Sequence, residues 1–222
     1  MTLLSNHLKG RIITDARQIG VFLDQKMVQE FLIYLKELKE WNQKINLTSL
    51  KTDEAIITTH FIDSLTLIPH LPSSASILDL GSGAGFPGIP VKIAAPAHNI
   101  TLLEATRKKA NFLRHIIRRL GLSKTTVLEC RAEHFKPPDP SHPVFDSVIA
   151  RALAPLKTFL QLGAPLVKKG GHLVAMKGEK IEEELKESRV VFKALSLEMD
   201  KKVALQLPQN NKKRHLVFIK KV

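Results

Sequence analysis

From Asp24, a candidate N-cap, the apolar residues Met27, Val28, Phe31, Leu32, Leu35 and Leu38 recur at helical spacing. Lys36, Glu37, Lys39 and Glu40 fall off that face, which predicts an amphipathic helix. Asn42-Gln43-Lys44 and Asn46-Leu47-Thr48 read as a loop. Thr52 or Asp53 then caps a second helix whose Ile56, His60, Asp63 and Leu67 share a face, and Pro69 and Pro72 stop it. From residue 76 the period shortens. Strands are predicted over 77–80, 99–104, 125–129, 145–150 and 171–176, with helices between them. The clearest helix, over 106–120, turns Ala110, Leu113, Ile117 and Leu120 inward and ends at Gly121. Such alternation implies right-handed crossovers and a parallel sheet. Two further strands, 196–207 and 215–220, meet through a polar turn at Gln209-Asn210-Asn211 and form an antiparallel final pair. The Pro-rich Lys136-Pro137-Pro138-Asp139-Pro140 is a loop, and no internal repeat is visible. The expected class is α/β, a mostly parallel seven-stranded Rossmann-like core over 73–222 behind an N-terminal helical extension over 1–72.

Charge divides the chain at the same place. The net +13 comes from 34 Lys and Arg against 21 Asp and Glu, and all of the excess lies after residue 75. A core that basic points to a polyanionic partner, with a plainly soluble basic surface as the alternative. At 44% hydrophobic residues over 222 positions the chain can bury a real core. No apolar run reaches the roughly 20 residues of a membrane span, so no membrane partner is expected. The single cysteine, Cys130, reads as a small core residue, and with no internal disulfide and no apolar signal segment between Met1 and Lys9 a reducing, cytoplasmic setting is expected.

The chemically informative stretch is Asp79-Leu80-Gly81-Ser82-Gly83-Ala84-Gly85-Phe86-Pro87-Gly88, directly after the first core strand. Glycines there let the backbone turn sharply and approach a ligand. Gly83-x-Gly85-x-x-Gly88 matches the dinucleotide fingerprint. Asp79, two positions before the first glycine, together with the Gly81-x-Gly83-x-Gly85 spacing resembles the first motif of Rossmann-like S-adenosylmethionine methyltransferases. Glu104, at the end of the second strand, is the ribose-binding acid in both readings. Ala132-Glu133 after the third strand is placed to read an adenine edge, or Glu133 is an acid complementing a helix N-terminus. Arg107, Lys108, Lys109, Arg114, Arg118 and Arg119 crowd one helix with no acid on it, and Arg107, Arg114 and Arg118 share a face that a phosphate backbone could follow. The nine histidines form no metal motif, and no Gly-x-Ser-x-Gly marks a serine hydrolase.

Trp41-Asn42 with Asn46-Leu47-Thr48, His60-x-x-Asp63-Ser64, the glycine loop with its Gly-Phe-Pro-Gly-Ile-Pro ending at Pro90, Arg151-Ala152, and the closing His215-Leu216-Val217 form a set. From about Leu23 onward it resembles the bacterial 16S rRNA (guanine-N7) methyltransferase family known as RsmG, formerly glucose-inhibited division protein B. The resemblance implies a class I methyltransferase fold and methyl transfer from S-adenosylmethionine to N7 of one guanine in 16S rRNA, presented free or as a small-subunit assembly intermediate. It places cofactor contacts at Gly81, Phe86, Glu104, Ala132, Glu133 and Arg151, to which the glycine motif adds Gly83 and Gly85; because N7 already carries an in-plane lone pair no catalytic side chain is expected, nor a metal, and the chain is expected to be a monomer. Arg151 would orient either the guanine or the methionine carboxylate, or form a surface ion pair with Asp146 or another acid. His60 and Asp63 are expected to pack the extension against the sheet. Residues 1–20 match nothing in the family pattern. Open alternatives are a non-catalytic nucleotide-sensing RNA-binding module, a nicotinamide dehydrogenase, and a methyltransferase for another RNA or an acidic small molecule.

Overall fold

The computed structural model describes residues 3–136, 144–209 and 213–222. The expected Pro-rich loop at 137–140 and the polar turn at Asn210-Asn211 lie outside the described residues. Seven strands form one sheet in the order β3-β2-β1-β4-β5-β7-β6: β1 (Ser76–Leu80), β2 (Asn99–Glu104), β3 (Thr125–Glu129), β4 (Phe145–Arg151), β5 (Val167–Lys177), β6 (Leu197–Gln206) and β7 (Lys213–Lys221). β1 to β5 run parallel, and β7 pairs antiparallel with both β5 and β6. The expected antiparallel final pair is therefore present, and β5 begins four residues earlier than its apolar run suggested.

The helices are α1 (Leu3–Gln18), α2 (Gln25–Asn42), α3 (Asp53–Ile56), a π-helical turn (Ile57–Ile62), α4 (Asp63–Leu65), α5 (Gly88–Ala94), α6 (Arg107–Leu120), α7 (Leu156–Gly163) and α8 (Ile181–Ala194). Asp24 caps α2 by accepting from Met27 N, and Thr52 caps α3 by accepting from Ala55 N. The second expected helix is thus capped as read, but it is wound as a π-turn through its middle, a form that favours functional positions. Within the stretch that matches nothing in the family pattern, Leu3–Gln18 form α1, which buries Leu8, Ile12 and Ala16 and is tied to the π-turn where Arg11 Nη2 donates to Thr58 Oγ1 at 3.0 Å.

Period-2 alternation sorts the strand side chains onto two faces. Ile77, Ile149, Leu216 and Phe218 join a buried cluster with residues of α1 to α6, whereas Leu78, Val148, Val217 and Ile219 pack against α7 and α8. The extension and one face of the sheet therefore share a continuous core. This corrects the inward face of α6: Phe112 and Ile116 are buried, while Ile117 and Leu120 are only partly so. The helix is covered from two sides, by the sheet and by α2, whose Trp41 ring lies 5.5 Å from Phe112. Glu37 of α2 is nearly buried and meets His115 Nε2 at 2.7 Å and Arg119 Nε at 3.1 Å, so the α2–α6 contact carries charge as well as apolar area. Gly121 ends α6 in the left-handed conformation, at φ +64°. No helix among the described residues is long and apolar enough to cross a membrane.

Candidate functional site

The glycine loop leaves the carboxyl end of β1 and spends most of its N–H donors on itself and on the end of β2. Gly81 N and Ser82 N donate to Leu103 O at 2.9 and 3.0 Å, and Gly85 N and Phe86 N donate to Ser82 O at 2.7 and 3.0 Å. Gly83 N donates to Glu104 Oε2, and Gly88 N to Asp79 Oδ2, each at 2.8 Å. Pyrophosphate recognition needs such N–H groups free at a helix N-terminus, so the dinucleotide reading loses its anchor here. Positive φ at Gly81 (+75°) and Gly83 (+58°) makes this folding-back possible.

A cavity of about 450 Å³ opens above the loop, between the carboxyl ends of β1, β2, β3 and β4. Of the expected contact residues Gly81, Gly83, Phe86, Glu104, Ala132, Glu133 and Arg151 line it. Gly85 does not. A Cβ there would stand 2.7 Å from the Tyr34 hydroxyl and 2.7 Å from Ile89 Cγ1, so this glycine makes room for α2 and α5 beneath the loop. Tyr34, the only tyrosine in the chain, is fully buried and donates its hydroxyl to Ala84 O, fixing the loop from below. It sits on the inward stripe of α2, between Phe31 and Leu38, where its spacing alone could have flagged it. Asp79 is likewise not a wall residue; it splints the loop through Gly88 N. Cys130, read as core, is instead partly exposed and lines the cavity, because β3 is the sheet edge and its end is uncovered.

Arg151, at the end of β4, is the junction between the two halves of the chain. Its Nη1 donates to Thr59 O at 2.7 Å and to Asp63 Oδ2 at 3.2 Å, and its Nη2 donates to His60 Nδ1 at 3.0 Å. The guanidinium carbon lies 5.0 Å from the Phe86 ring centre, and the His60 ring stacks on the same ring at 4.5 Å. The expected alternative of an ion pair with an acid is met by buried Asp63 and not by Asp146, which takes Ser76 and Lys168. Burial, with the Arg151 charge beside it, pushes the His60 imidazole down to about 3, so the ring is neutral at physiological pH. An arginine can only donate, hence Nδ1 accepts, and Nε2–H is the donor to Thr48 Oγ1 at 2.8 Å. Asn42 holds Thr48 in place, accepting from Leu47 N and Thr48 N and donating to Thr48 O. His60 and Asp63 thus do more than pack the extension on the sheet, since they hold a guanidinium in the cavity wall.

Burial pushes the Asp79 carboxyl up to about 7, against the lowering pull of Gly88 N–H and Arg151. The folded value lies above the usual 3.8, so the native state holds an extra proton between the two values. The stability contributed by this group is complete below about pH 4 and is lost as pH rises to about 7. Asp79→Asn keeps an acceptor for Gly88 and removes the titration. Its thermal midpoint relative to the parent is expected to rise by about 4 °C or more between pH 4 and pH 8. A difference that stays constant across that window would show that Asp79 does not titrate there.

The basic helix is less uniform than its sequence. Arg114 Nη1 donates to Glu129 Oε2 at 2.9 Å, and Arg119 is held by Glu37, so acids from neighbouring elements offset two of the six charges. Arg107 and Arg118 are exposed and pair with no acid among the described residues. Lys109 turns to the cavity instead.

A family model described as rRNA small subunit methyltransferase G matches residues 27–217. A "Ribosomal RNA small subunit methyltransferase G" of Thermoanaerobacter sp. (strain X514) is 37% identical over 221 residues, covering 99% of this chain and 92% of the relative. One of the same name from Acetivibrio thermocellus is 39% identical over 216 residues, covering 96% and 88%. Among solved structures, M. jannaschii TYW2 in complex with AdoMet superposes with a TM-score of 0.55 at 13% identity, over 68% of this chain and 70% of that one, a likeness of fold alone.

Proposed function

The chain belongs to the rRNA small subunit methyltransferase G family, and on that premise we propose that it moves the methyl group of S-adenosylmethionine to N7 of one guanine in 16S rRNA. The RNA is presented free or in a small-subunit assembly intermediate, and the protein works as a cytoplasmic monomer. The observation that carries the donor assignment is the inward-turned loop, which offers no anion nest yet leaves Gly81, Gly83, Phe86, Glu104 and the Ala132-Glu133 pair on one cavity wall. The set fits the donor. A carboxylate accepts up to about four hydrogen bonds, so Glu104 can hold Gly83 N and Thr106 N and still receive two ribose hydroxyls. Glu133 takes the adenine edge, and Arg151 and Phe86 close the end where the reacting groups meet.

S-adenosylmethionine supplies a methyl group on a positively charged sulfur. Guanine N7 offers an in-plane lone pair that forms the new N–C bond; the sulfur keeps the pair of the broken S–C bond, no proton leaves, and the positive charge passes to the purine. No general base is needed, so the protein contributes orientation and exclusion of water. His60 fits this chemistry, because a neutral ring locked between Arg151 and Thr48 positions rather than transfers protons. Exposed Arg107 and Arg118, with Arg114 steadied by Glu129, give the RNA backbone a charged approach to the cavity. In this reading the extension over 1–72 and the core over 73–222 act as one unit, since the extension holds the Arg151 fork and the underside of the loop. Purified protein given S-adenosylmethionine labelled in its methyl group is expected to label small-subunit rRNA and to leave large-subunit rRNA unlabelled. Absence of label from small-subunit rRNA and from assembled small subunits contradicts the proposal.

A further inference from the structure

A second cavity, of about 430 Å³, adjoins the donor cavity and shares His60, Arg151 and Ala152 as its wall. Its far side is built from Lys177 and Gly178 at the end of β5, Glu184 of α8 and Arg214 of β7. The dividing residue, Ala152, holds φ at +53°, a left-handed conformation that a non-glycine residue keeps only where its surroundings enforce it. Here the enforcing contacts flank it: Lys177 Nζ donates to Ala154 O at 2.7 Å, and Leu156 N donates to Glu184 Oε2 at 2.6 Å.

Most polar groups of this second cavity are spoken for. Asp63 divides its two oxygens between Arg151 and Arg214. Lys177 Nζ also donates to Glu184 Oε2 at 2.7 Å, so that one oxygen carries both of the contacts made by the carboxylate. Two groups keep capacity. Glu184 Oε1 accepts from no described residue, and Arg214 uses only Nε, toward Asp63, leaving its terminal nitrogens without a described acceptor. Glu184 and Arg214 both line this cavity, and a carboxylate oxygen with a guanidinium end, each without a described partner, matches guanine among the bases. N1–H and the 2-amino group are donors for a carboxylate, and O6 is an acceptor for an arginine. Adenine would turn its unprotonated N1 toward the carboxylate and be repelled.

We propose that this cavity receives the target base and that Glu184 reads its Watson–Crick edge, an inference that rests on the guanine-N7 reading above. With N7 toward the donor cavity, N1 and the 2-amino group lie on the opposite edge of the purine, toward Glu184. The same contact assists transfer. Methylation leaves the purine positively charged and its N1–H a stronger donor, so the hydrogen bond to a carboxylate tightens as the charge develops. Glu184 is therefore a specificity-determining residue as well as the clamp for the loop between β4 and α7.

The test separates these two roles. Glu184→Gln keeps a carbonyl oxygen for Leu156 N and Lys177 and replaces the free oxygen with an amide that donates. Small-subunit rRNA is prepared with guanosine or inosine at the position the parent enzyme modifies, inosine lacking only the 2-amino group. The parent is expected to prefer guanosine by about tenfold in kcat/KM, and Glu184→Gln to lose that preference while its affinity for S-adenosylmethionine stays unchanged. A parent that does not discriminate, or a variant that keeps the full parental preference, overturns the role of Glu184. Failure of the parent to methylate the guanosine RNA at all overturns the guanine reading itself.

Discussion

Replacing Arg151 with alanine is expected to lower methyl transfer to small-subunit rRNA about 100-fold or more while leaving the protein folded. The guanidinium joins the carboxyl end of β4 to the extension through Thr59 O, His60 and Asp63, and it lies over Phe86 in the wall shared by both cavities. Its removal takes the Nη2 donor away from His60 Nδ1, loosens the Phe86 ring and leaves Asp63 with Arg214 as its one cation among the described residues. Charge-assisted hydrogen bonds are worth about 1.5–3 kcal/mol each, and losing two of them from the reacting geometry gives an effect of about 100-fold. The fold survives because Asp63 keeps one cation and the core beneath is untouched. Arg151→Lys is the informative companion: it restores the charge without the fork, and a recovery of less than about tenfold is expected if geometry is what matters. Circular dichroism and the thermal midpoint establish folding. A folded Arg151→Ala protein that transfers at the parental rate removes this residue from the site.

Glu104→Ala is expected to weaken S-adenosylmethionine binding by about 100-fold, read as Kd by calorimetry. In the parent one carboxylate oxygen receives Gly83 N at 2.8 Å and the other receives Thr106 N at 2.7 Å, so the side chain shapes the glycine loop and the start of α6 while facing the cavity. Alanine removes both contacts and the acceptors for two ribose hydroxyls, a loss of about 3 kcal/mol if two charge-assisted bonds to ligand disappear. Glu104→Gln keeps the shape and one acceptor and is expected to fall between alanine and the parent. Unaltered Kd for the whole donor in Glu104→Ala would mean that the ribose is held elsewhere.

Parts of this site were written plainly in the sequence, and parts could not be. The strands were legible because a sheet covered on both faces needs apolar runs, and Ile77-Leu78 or Leu216-Val217-Phe218 supply them. The apolar pattern predicts β5 short because the strand opens with Lys168-Lys169-Gly170-Gly171, a stretch without apolar side chains where the register against β4 shifts between Phe145 and Ser147. The glycine loop announced a ligand, but which ligand depended on where its N–H groups point, and the acceptors that use them include Leu103 O and Glu104, more than twenty positions away. The inward face of α6 was displaced because α2 covers a side that a single-helix pattern assigns to solvent. The Arg151 fork was beyond any local pattern: its partners lie about ninety residues earlier, and a π-turn, which periodicity does not reveal, brings Thr59 O, His60 and Asp63 to one point. Likewise, six like charges on α6 looked unopposed until Glu37 and Glu129 arrived from other elements.

That this cavity serves methyl transfer to N7 of a small-subunit rRNA guanine is tested by nucleoside mass spectrometry of the reaction product. Small-subunit rRNA lacking the modification is incubated with the purified protein and S-adenosylmethionine carrying a deuterated methyl group, then digested to nucleosides. The expected result is deuterated 7-methylguanosine as the single labelled nucleoside, absent from the Arg151→Ala reaction. Label in a different nucleoside, or no labelled nucleoside from either free rRNA or small subunits, would contradict it.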